Sequence, residues 1–355
     1  MKIAILSDTH FGIRGSSDIF IDYHRKFFEE TFFPYMKENG ISHIIHAGDL
    51  YDNRKYINFK VQNASRKMFL EQLHDRGITM DIILGNHDVY YKSTNELNSL
   101  KELLGYFTSN ISIVTEPRVG NYEGMQIGLV PWINGENHSH SMKFIKNCSA
   151  SWLIGHFEMS GFDFMPGIKS TDGLDPSIFS RFEKVLSGHY HTKSEQSNIT
   201  YLGAQMEFTW ADANDPKYFH VLDTETRELT PVRCPITMFE KIHYDDEKFN
   251  HFRDYDASRV DGKFVKVVVS RKKDPYTFDR FIDKIQQQNH HDLKIAESFD
   301  EYTGENVDVD ETISVEDTTE LLESYIDNTS TDLERDQLKD LMRSVYVEAL
   351  NQEIA

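Results

Sequence analysis

Cysteine is nearly absent: Cys148 and Cys234, far apart, are the only two in 355 residues. A disulfide framework is excluded, and a reducing cytoplasm suits such a chain. Long apolar runs are also missing, so no membrane span or membrane partner is expected. The opening "MKIAILSDTH" meets Asp8 too early for a secretory signal. Positive charge is scarce: 38 Lys and Arg stand against 58 Asp and Glu, a net charge of −20. That sign argues against nucleic acid until its distribution is considered. Residues 297–355 hold 18 acidic and 3 basic residues, a net of −15, which leaves −5 for residues 1–296. The body is near neutral, and bound divalent cations would supply local positive charge for a phosphate.

What is present is ordinary for a globular protein, with 39% hydrophobic and 12% aromatic residues. The first hundred residues alternate short apolar runs with longer periodic segments. "KIAIL", "SHIIHA" and "TMDIIL" read as strands. Residues 18–39 read as a helix disturbed at Pro34, and "NFKVQNASRKMFLEQLHDRG" as a helix capped by Gly77. The βαβαβ order implies a mainly parallel sheet. Strands dominate residues 111–235, and one sheet with outer helices or two stacked sheets would account for them. Residues 236–296 read as a small α/β domain and residues 297–317 as an acidic linker. Residues 318–355 regain helical period. Leu321, Leu322, Tyr325 and Ile326 line one short segment. Leu338, Leu341, Met342, Val345 and Ala349 line another. Thr331 to Glu334 has capping-box spacing before the second. Such a helix pair either folds back on the body or buries its apolar faces in a partner.

Polar residues gather where strands end. Asp8 and His10 follow "KIAIL"; Asp49 and Asp52 follow "SHIIHA"; Asn86, His87 and Asp88 follow "TMDIIL". His156 ends "SWLIGH", and His189 and His191 follow "KVLSG". Each alone reads as a turn or a cap, but ligands in α/β folds bind at the carboxyl ends of strands. Five strands bringing Asp, Asn and His to one edge make a turn-only reading a poor account. Carboxylate, carboxamide and imidazole without thiolate suit hard or borderline divalent ions such as manganese. Asp8 and His10 are two apart, as are His189 and His191, and in extended backbone each pair projects the same way. Asp49 can bridge two ions, which would hold a shared hydroxide and clamp a phosphate for in-line attack. His87 is then free to protonate a leaving oxygen, with Asp88 accepting its other ring proton. Gly85 would permit the tight turn before Asn86.

These blocks resemble the signature motifs of the calcineurin-like metallophosphoesterases, and within them the SbcD-type DNA repair nucleases. "VPWINGEN", "IGHFEMSGFDF", "GIKSTDGLDP", "SGHYHTKSE" and "LLESYI…LKDLMRSVYVEAL" resemble the small nuclease subunits of phage recombination endonucleases. The resemblance implies an α/β fold, a sandwich of two stacked sheets flanked by helices. A nuclease domain at 1–235, a capping domain at 236–296 and a terminal helix pair would complete it. It implies two divalent metal ions, Mn2+ in the first place and Mg2+ as a substitute. Asp8, His10, Asp49 and His191 would hold one, and Asp49, Asn86, His156 and His189 the other. His87 would be the catalytic histidine and Asp88 its supporter. It also implies DNA as substrate, an SbcC-type SMC-like ATPase docked through residues 318–350, and a homodimer formed near segments 58–76 and 94–104. Phe59, Val61, Met68, Phe69 and Leu73 there suit an interface or a core equally. Arg271, Lys272 and Lys273 could meet DNA backbone or end a solvated strand. "GDLYD" carries Tyr51 at the motif's aromatic place, which should affect packing rather than ligation. Two rivals remain: a phosphoesterase acting on nucleotides or phosphoproteins, and a scaffold subunit without catalysis.

Overall fold

The structure is a computed structural model that describes residues 1–107, 109–165 and 168–297, with residues 326, 335, 338, 339, 341 and 342, which are helical. Contacts divide the chain into two units, Met1–Gly304 and Glu305–Ala355. Most of the terminal helix pair and nearly all of the acidic linker lie outside the described residues.

The first unit is built on strands β1 (Lys2–Leu6), β2 (His43–His46), β3 (Thr79–Ile83), β4 (Ile111–Val114), β5 (Arg118–Tyr122), β6 (Met125–Val130) and β7 (Trp152–His156). These are followed by β8 (Asp163–Met165), β9 (Ile168–Lys169), β10 (Lys184–Gly188), β11 (Ser194–Gln196), β12 (Ile199–Tyr201), β13 (Tyr218–Asp223) and β14 (Leu229–Arg233). One six-stranded sheet runs β14-β13-β1-β2-β3-β4 and the other β11-β12-β10-β7-β6-β5. β1 to β4 are mutually parallel, as the βαβαβ order demands, and β13 closes antiparallel onto β1. β6, β7, β10 and β12 are parallel too, with β5 and β11 as antiparallel edges.

Side-chain alternation stacks the sheets. Ile3, Ile5, Ile45 and Ile83 face Ile127, Leu129, Ile154 and Leu186 in one core between them. Ala4, Leu6, Ile44 and Ile82 point the other way, under the helices. Leu153, Val185 and Tyr201 turn to a third cluster on the far face. Each buried Ile or Leu contributes about 1.5–3 kcal/mol, so strands buried on both faces supply much of the stability and read as unbroken apolar runs.

The first long helix shows what Pro34 does. α-Helix over Asp18–Lys26 widens to a π-helical stretch at Phe27–Phe32 before resuming at Phe33–Glu38. The Phe33 N–H reaches back five residues to the Phe28 carbonyl. This wider turn accommodates the proline, which has no N–H to give and would collide with a carbonyl four residues back. Val61, Met68, Phe69 and Leu73 are buried in the chain's own core, whereas Phe59 is 86% exposed. Tyr51 is buried, with its hydroxyl 3.2 Å from Ser65 Oγ, a packing role as expected.

Residues 236–297 hold more strand than their sequence suggests. β15 (Phe239–Asp245), β16 (Phe264–Arg271) and β17 (Asp292–Glu297) form a parallel sheet covered by the helix Pro275–Gln286, with a core of its own. The N–H groups of Met238 and Phe239 donate to the buried Glu207 carboxylate at 2.6 and 3.0 Å, tying the start of β15 to the larger core. At the end of β16, Glu247 faces both Arg271 and Lys273, so these two basic side chains share one carboxylate.

Candidate metal centre

Five strand ends converge on one edge. β1 leads to Asp8 and His10, β2 to Asp49, β3 to Asn86, His87 and Asp88, β7 ends in His156, and β10 leads to His189 and His191. The turns are sharp. Asp8 (φ 51°), His10 (φ 48°), Asp49 (φ 56°) and His189 (φ 93°) all occupy left-handed backbone. For residues with a Cβ this costs about 1–3 kcal/mol each, a strain that clusters at functional sites.

Glycines make room. A Cβ on Gly85 would lie 2.1 Å from Asp49 Oδ1, and one on Gly48 would lie 2.6 Å from His156 Nδ1. Gly85 was expected to relieve a tight turn. Its φ is not among the positive ones, and its service is the close approach of the Asp49 carboxylate.

The donors form two groups that meet at Asp49. In the first, His10 Nε2 and His191 Nε2 are 3.1 Å apart, and each is 4.0 Å from Asp8 Oδ1. In the second, Asn86 Oδ1 lies 2.9 Å from both His156 Nε2 and His189 Nδ1. Asp49 Oδ2 is 3.7 Å from His10 Nε2 and 3.2 Å from His156 Nε2, so one oxygen faces both groups. Its partner Oδ1 is occupied, accepting the His87 N–H at 2.7 Å.

These residues fit divalent cations. Octahedral ligands on bonds of about 2.1 Å are about 3.0 Å apart, close to the spacing in the second group. Acceptors facing acceptors in a buried pocket are unfavourable unless a cation lies between them. The outer nitrogens are fixed accordingly. His156 Nδ1–H donates to the Ala47 carbonyl at 2.8 Å, which turns Nε2 inward as a bare lone pair. His10 Nδ1 lies 3.4 Å from the Asp52 carboxylate, leaving its Nε2 for the centre. The Asp8 carboxylate accepts the Ser7 hydroxyl and the His189 N–H.

Without a cation the charges strain one another. Burial pushes the Asp8 carboxyl up, and the nearby Asp49 charge adds to this. Burial lowers His156, but the Asp49 and Asp8 carboxylates outweigh it and hold the imidazole up at about 9. Burial and the neighbouring His156 push His189 down to about 3. Not every buried histidine belongs here. His24 spans the Phe20 and Thr9 carbonyls, and His46 Nε2 is 2.7 Å from Thr9 Oγ1, as structural histidines should be.

Two expectations need correction. His189 and His191 do not project the same way: His189 joins Asn86 and His156, while His191 joins Asp8 and His10. The left-handed φ at His189 breaks the extended geometry that the two-residue rule assumes. Asp88 does not brace His87. It is fully buried and accepts three backbone N–H groups, those of Asp49 (2.8 Å), Gly85 (2.9 Å) and Leu50 (3.1 Å). Burial raises its carboxyl to about 7. The partner of the His87 ring is the Asp52 carbonyl, which accepts its Nδ1–H. A main-chain acceptor leaves no trace in residue type, so only Asp52's place three residues after Asp49 could have pointed to it. Trp132 was also missed: its ring centroid lies 5.5 Å from that of His189. Trp132, Asn134, His138, His156 and Glu158 line a cavity of about 440 Å³ beside the centre.

The model of the calcineurin-like phosphoesterase family matches residues 1–193, more than half of the chain. The chain therefore belongs to the calcineurin-like phosphoesterases, whose fold of stacked α/β sheets it shares. Among particular proteins it is similar to Exonuclease subunit 1 of Enterobacteria phage T4, at 33% identity over 98% of this chain and 99% of that protein. It is also similar to a subunit of the nuclease SbcCD from Staphylococcus saprophyticus, at 22% over 68% of this chain and 70% of that one. The corresponding SbcCD nuclease component of Staphylococcus epidermidis is 25% identical over 64% of this chain and 67% of that one. Among the described residues, no helix is long and apolar enough to cross a membrane.

Proposed function

We propose that this protein is a two-metal DNA nuclease, acting as an exonuclease and single-strand endonuclease. Asp8, His10, Asp49 and His191 would hold one cation, and Asp49, Asn86, His156 and His189 the other. The observation that carries this reading is the Asp49 Oδ2 atom facing both donor groups. Mn2+ suits the mixed oxygen and imidazole set, with Mg2+ as a substitute. Bound divalent cations lower the pKa of water and polarise phosphoryl oxygens, which supplies nucleophile and electrophile together.

The chain's own residues do the rest. The Asp52 carbonyl keeps His87 Nδ1 protonated and orients the ring, so Nε2 is the nitrogen that passes a proton to the leaving oxygen. Half-buried beside His10, at 4.9 Å between ring centroids, His87 can reach a substrate lying over the centre. Asp88 holds the β2 and β3 loops in register through their N–H groups, acting on the ligands rather than on substrate. The cavity beside Trp132 is large enough for part of a nucleotide.

The full-length likeness to Exonuclease subunit 1 supports DNA as the substrate. The SbcCD relatives support a nuclease subunit that works in a complex. The reading adds an SbcC-type ATPase partner for residues 318–350, a homodimer, and work in DNA repair and recombination in the cytoplasm of a phage host. The chain is then organised as a nuclease domain (1–235), a capping domain (236–296), a linker (297–317) and a helix pair (318–355).

The test is cleavage of linear and hairpin DNA with Mn2+, by wild type and His87→Gln, with and without the ATPase subunit. Loss of one general acid should lower kcat about 10²–10⁴-fold. Intact cleavage by the variant would remove the catalytic role, and hydrolysis of nucleotides or phosphoproteins but not of DNA would replace the substrate.

A further inference from the structure

The first donor group is put together from both sheets. Asp8 and His10 follow β1 in one sheet and His191 follows β10 in the other, yet His191 Nε2 is 3.1 Å from His10 Nε2. In the second group, His156 is aimed through its ring by the Ala47 carbonyl. His191 is anchored through its main chain instead. Its carbonyl accepts the Ala204 N–H at 3.0 Å and the Lys217 ammonium at 2.9 Å.

Lys217 is only 3% exposed and stands just before β13. β13 runs antiparallel to β1, so its start lies beside the end of β1 that leads to Asp8 and His10. The lysine is thus rooted in the first sheet and reaches a loop of the second. Its three ammonium protons have three acceptors: the His191 carbonyl, the Asp212 carboxylate and the Asp215 carboxylate. The other oxygen of Asp212 accepts the N–H groups of Phe208 (2.9 Å) and Thr209 (2.8 Å). Those bonds fix Phe208, whose buried ring lies edge-on to both His10 and His191, at 5.6 and 5.4 Å between centroids.

Two costs argue against a mere packing role. A buried ion pair often stabilises less than well-packed apolar side chains of the same size. A buried ammonium beside a site for divalent cations also repels them. Geometry is what the lysine can give in return. We propose that Lys217, held by Asp212, is a positioning residue for the first cation site. It latches the His191 loop to the start of β13 and so keeps the imidazole within reach of Asp8 and His10. The inference rests on the two-metal reading of the centre and not on which phosphate ester is cleaved.

The experiment titrates wild type, Lys217→Met and the double variant Lys217→Met with Asp212→Asn with Mn2+ by calorimetry. Scanning calorimetry of the metal-free proteins and cleavage of linear DNA are followed in parallel. By charge alone, loss of the lysine would tighten Mn2+ binding. Loss of a positioning bond predicts the opposite, a fall of about 10–100-fold in affinity for one of the two ions, with the other unmoved. The half-saturating Mn2+ concentration for cleavage should rise by the same factor. The double variant leaves no stranded carboxylate at 212 and should show the same selective loss. Ile285→Ala, in the separate core of residues 236–297, controls for lost stability: it should lower Tm and leave both ions bound. Unchanged or tighter Mn2+ binding in both Lys217 variants, or equal weakening of both ions, would overturn the latch. So would a weakening in Lys217→Met that the double variant cancels, since the stranded Asp212 charge would then be its cause. Wild type that binds two ions but leaves DNA intact would sink the nuclease reading and spare the latch.

Discussion

Replacing Asp88 by Asn separates two roles that residue type alone cannot. Asp88 Oδ2 accepts the N–H groups of Asp49 and Gly85, and Oδ1 accepts that of Leu50. Asparagine has one acceptor oxygen. Its best placement keeps the Asp49 and Gly85 bonds and turns an NH2 group toward the Leu50 N–H. One buried donor is left unsatisfied, at a cost of about 1–3 kcal/mol. For a unit of this size that lowers Tm by about 2–10 °C. The displaced loops carry Asp49 and Asn86, so Mn2+ affinity should fall about 10–100-fold, as when an outer hydrogen bond to a ligand is lost. Scanning calorimetry of the metal-free protein and Mn2+ titration of the same samples read both numbers. Wild-type Tm and metal affinity with kcat alone reduced would refute this account. That result would show Asp88 acting on His87 and not on the backbone.

Gly85→Ala should abolish Mn2+ binding at the second donor group, because the new Cβ would overlap Asp49 Oδ1. Gly105→Ala, whose Cβ meets nothing within 4 Å, is the control. Equal metal stoichiometry by calorimetry in the two variants would contradict the close-approach role. Glu207 gives a pH signature. Burial raises its carboxyl to about 7, above its ordinary 4.5, so its contribution to stability is full below about 4.5 and is lost as pH rises through about 7. The shift corresponds to roughly 3 kcal/mol at most. Glu207→Gln should therefore show a flatter urea-midpoint profile between pH 5 and 8.5 than wild type. Parallel profiles would mean that the carboxyl titrates normally.

How legible the chain was depended on burial. β1, β2, β3, β7 and β10 are covered on both faces, so each reads as an apolar run, and the polar residues after each run mark its carboxyl end. The edge strands β5, β11 and β14 are half-solvated and polar, which is why "RVGNY", "SEQ" and "LTPVR" did not stand out. β15 and β17 were hidden for the same reason, with His243 and Lys294 breaking up "FEKIHYD" and "DLKIAE". The convergence of Asp8, Asp49, Asn86, His156 and His191 was readable because a parallel sheet sends all those ends to one edge.

Sequence by itself determined the donor set and the order of strands that gathers it, since both follow from residue chemistry and from the burial of alternating apolar residues. Tertiary structure alone decided which donor belongs to which group, that Asp88 serves the backbone while a carbonyl of Asp52 serves His87, and that Lys217 reaches the His191 carbonyl. Those assignments depend on left-handed turns and main-chain acceptors brought together from distant segments. Backbone conformation and carbonyl direction carry no signature in the identity of a side chain.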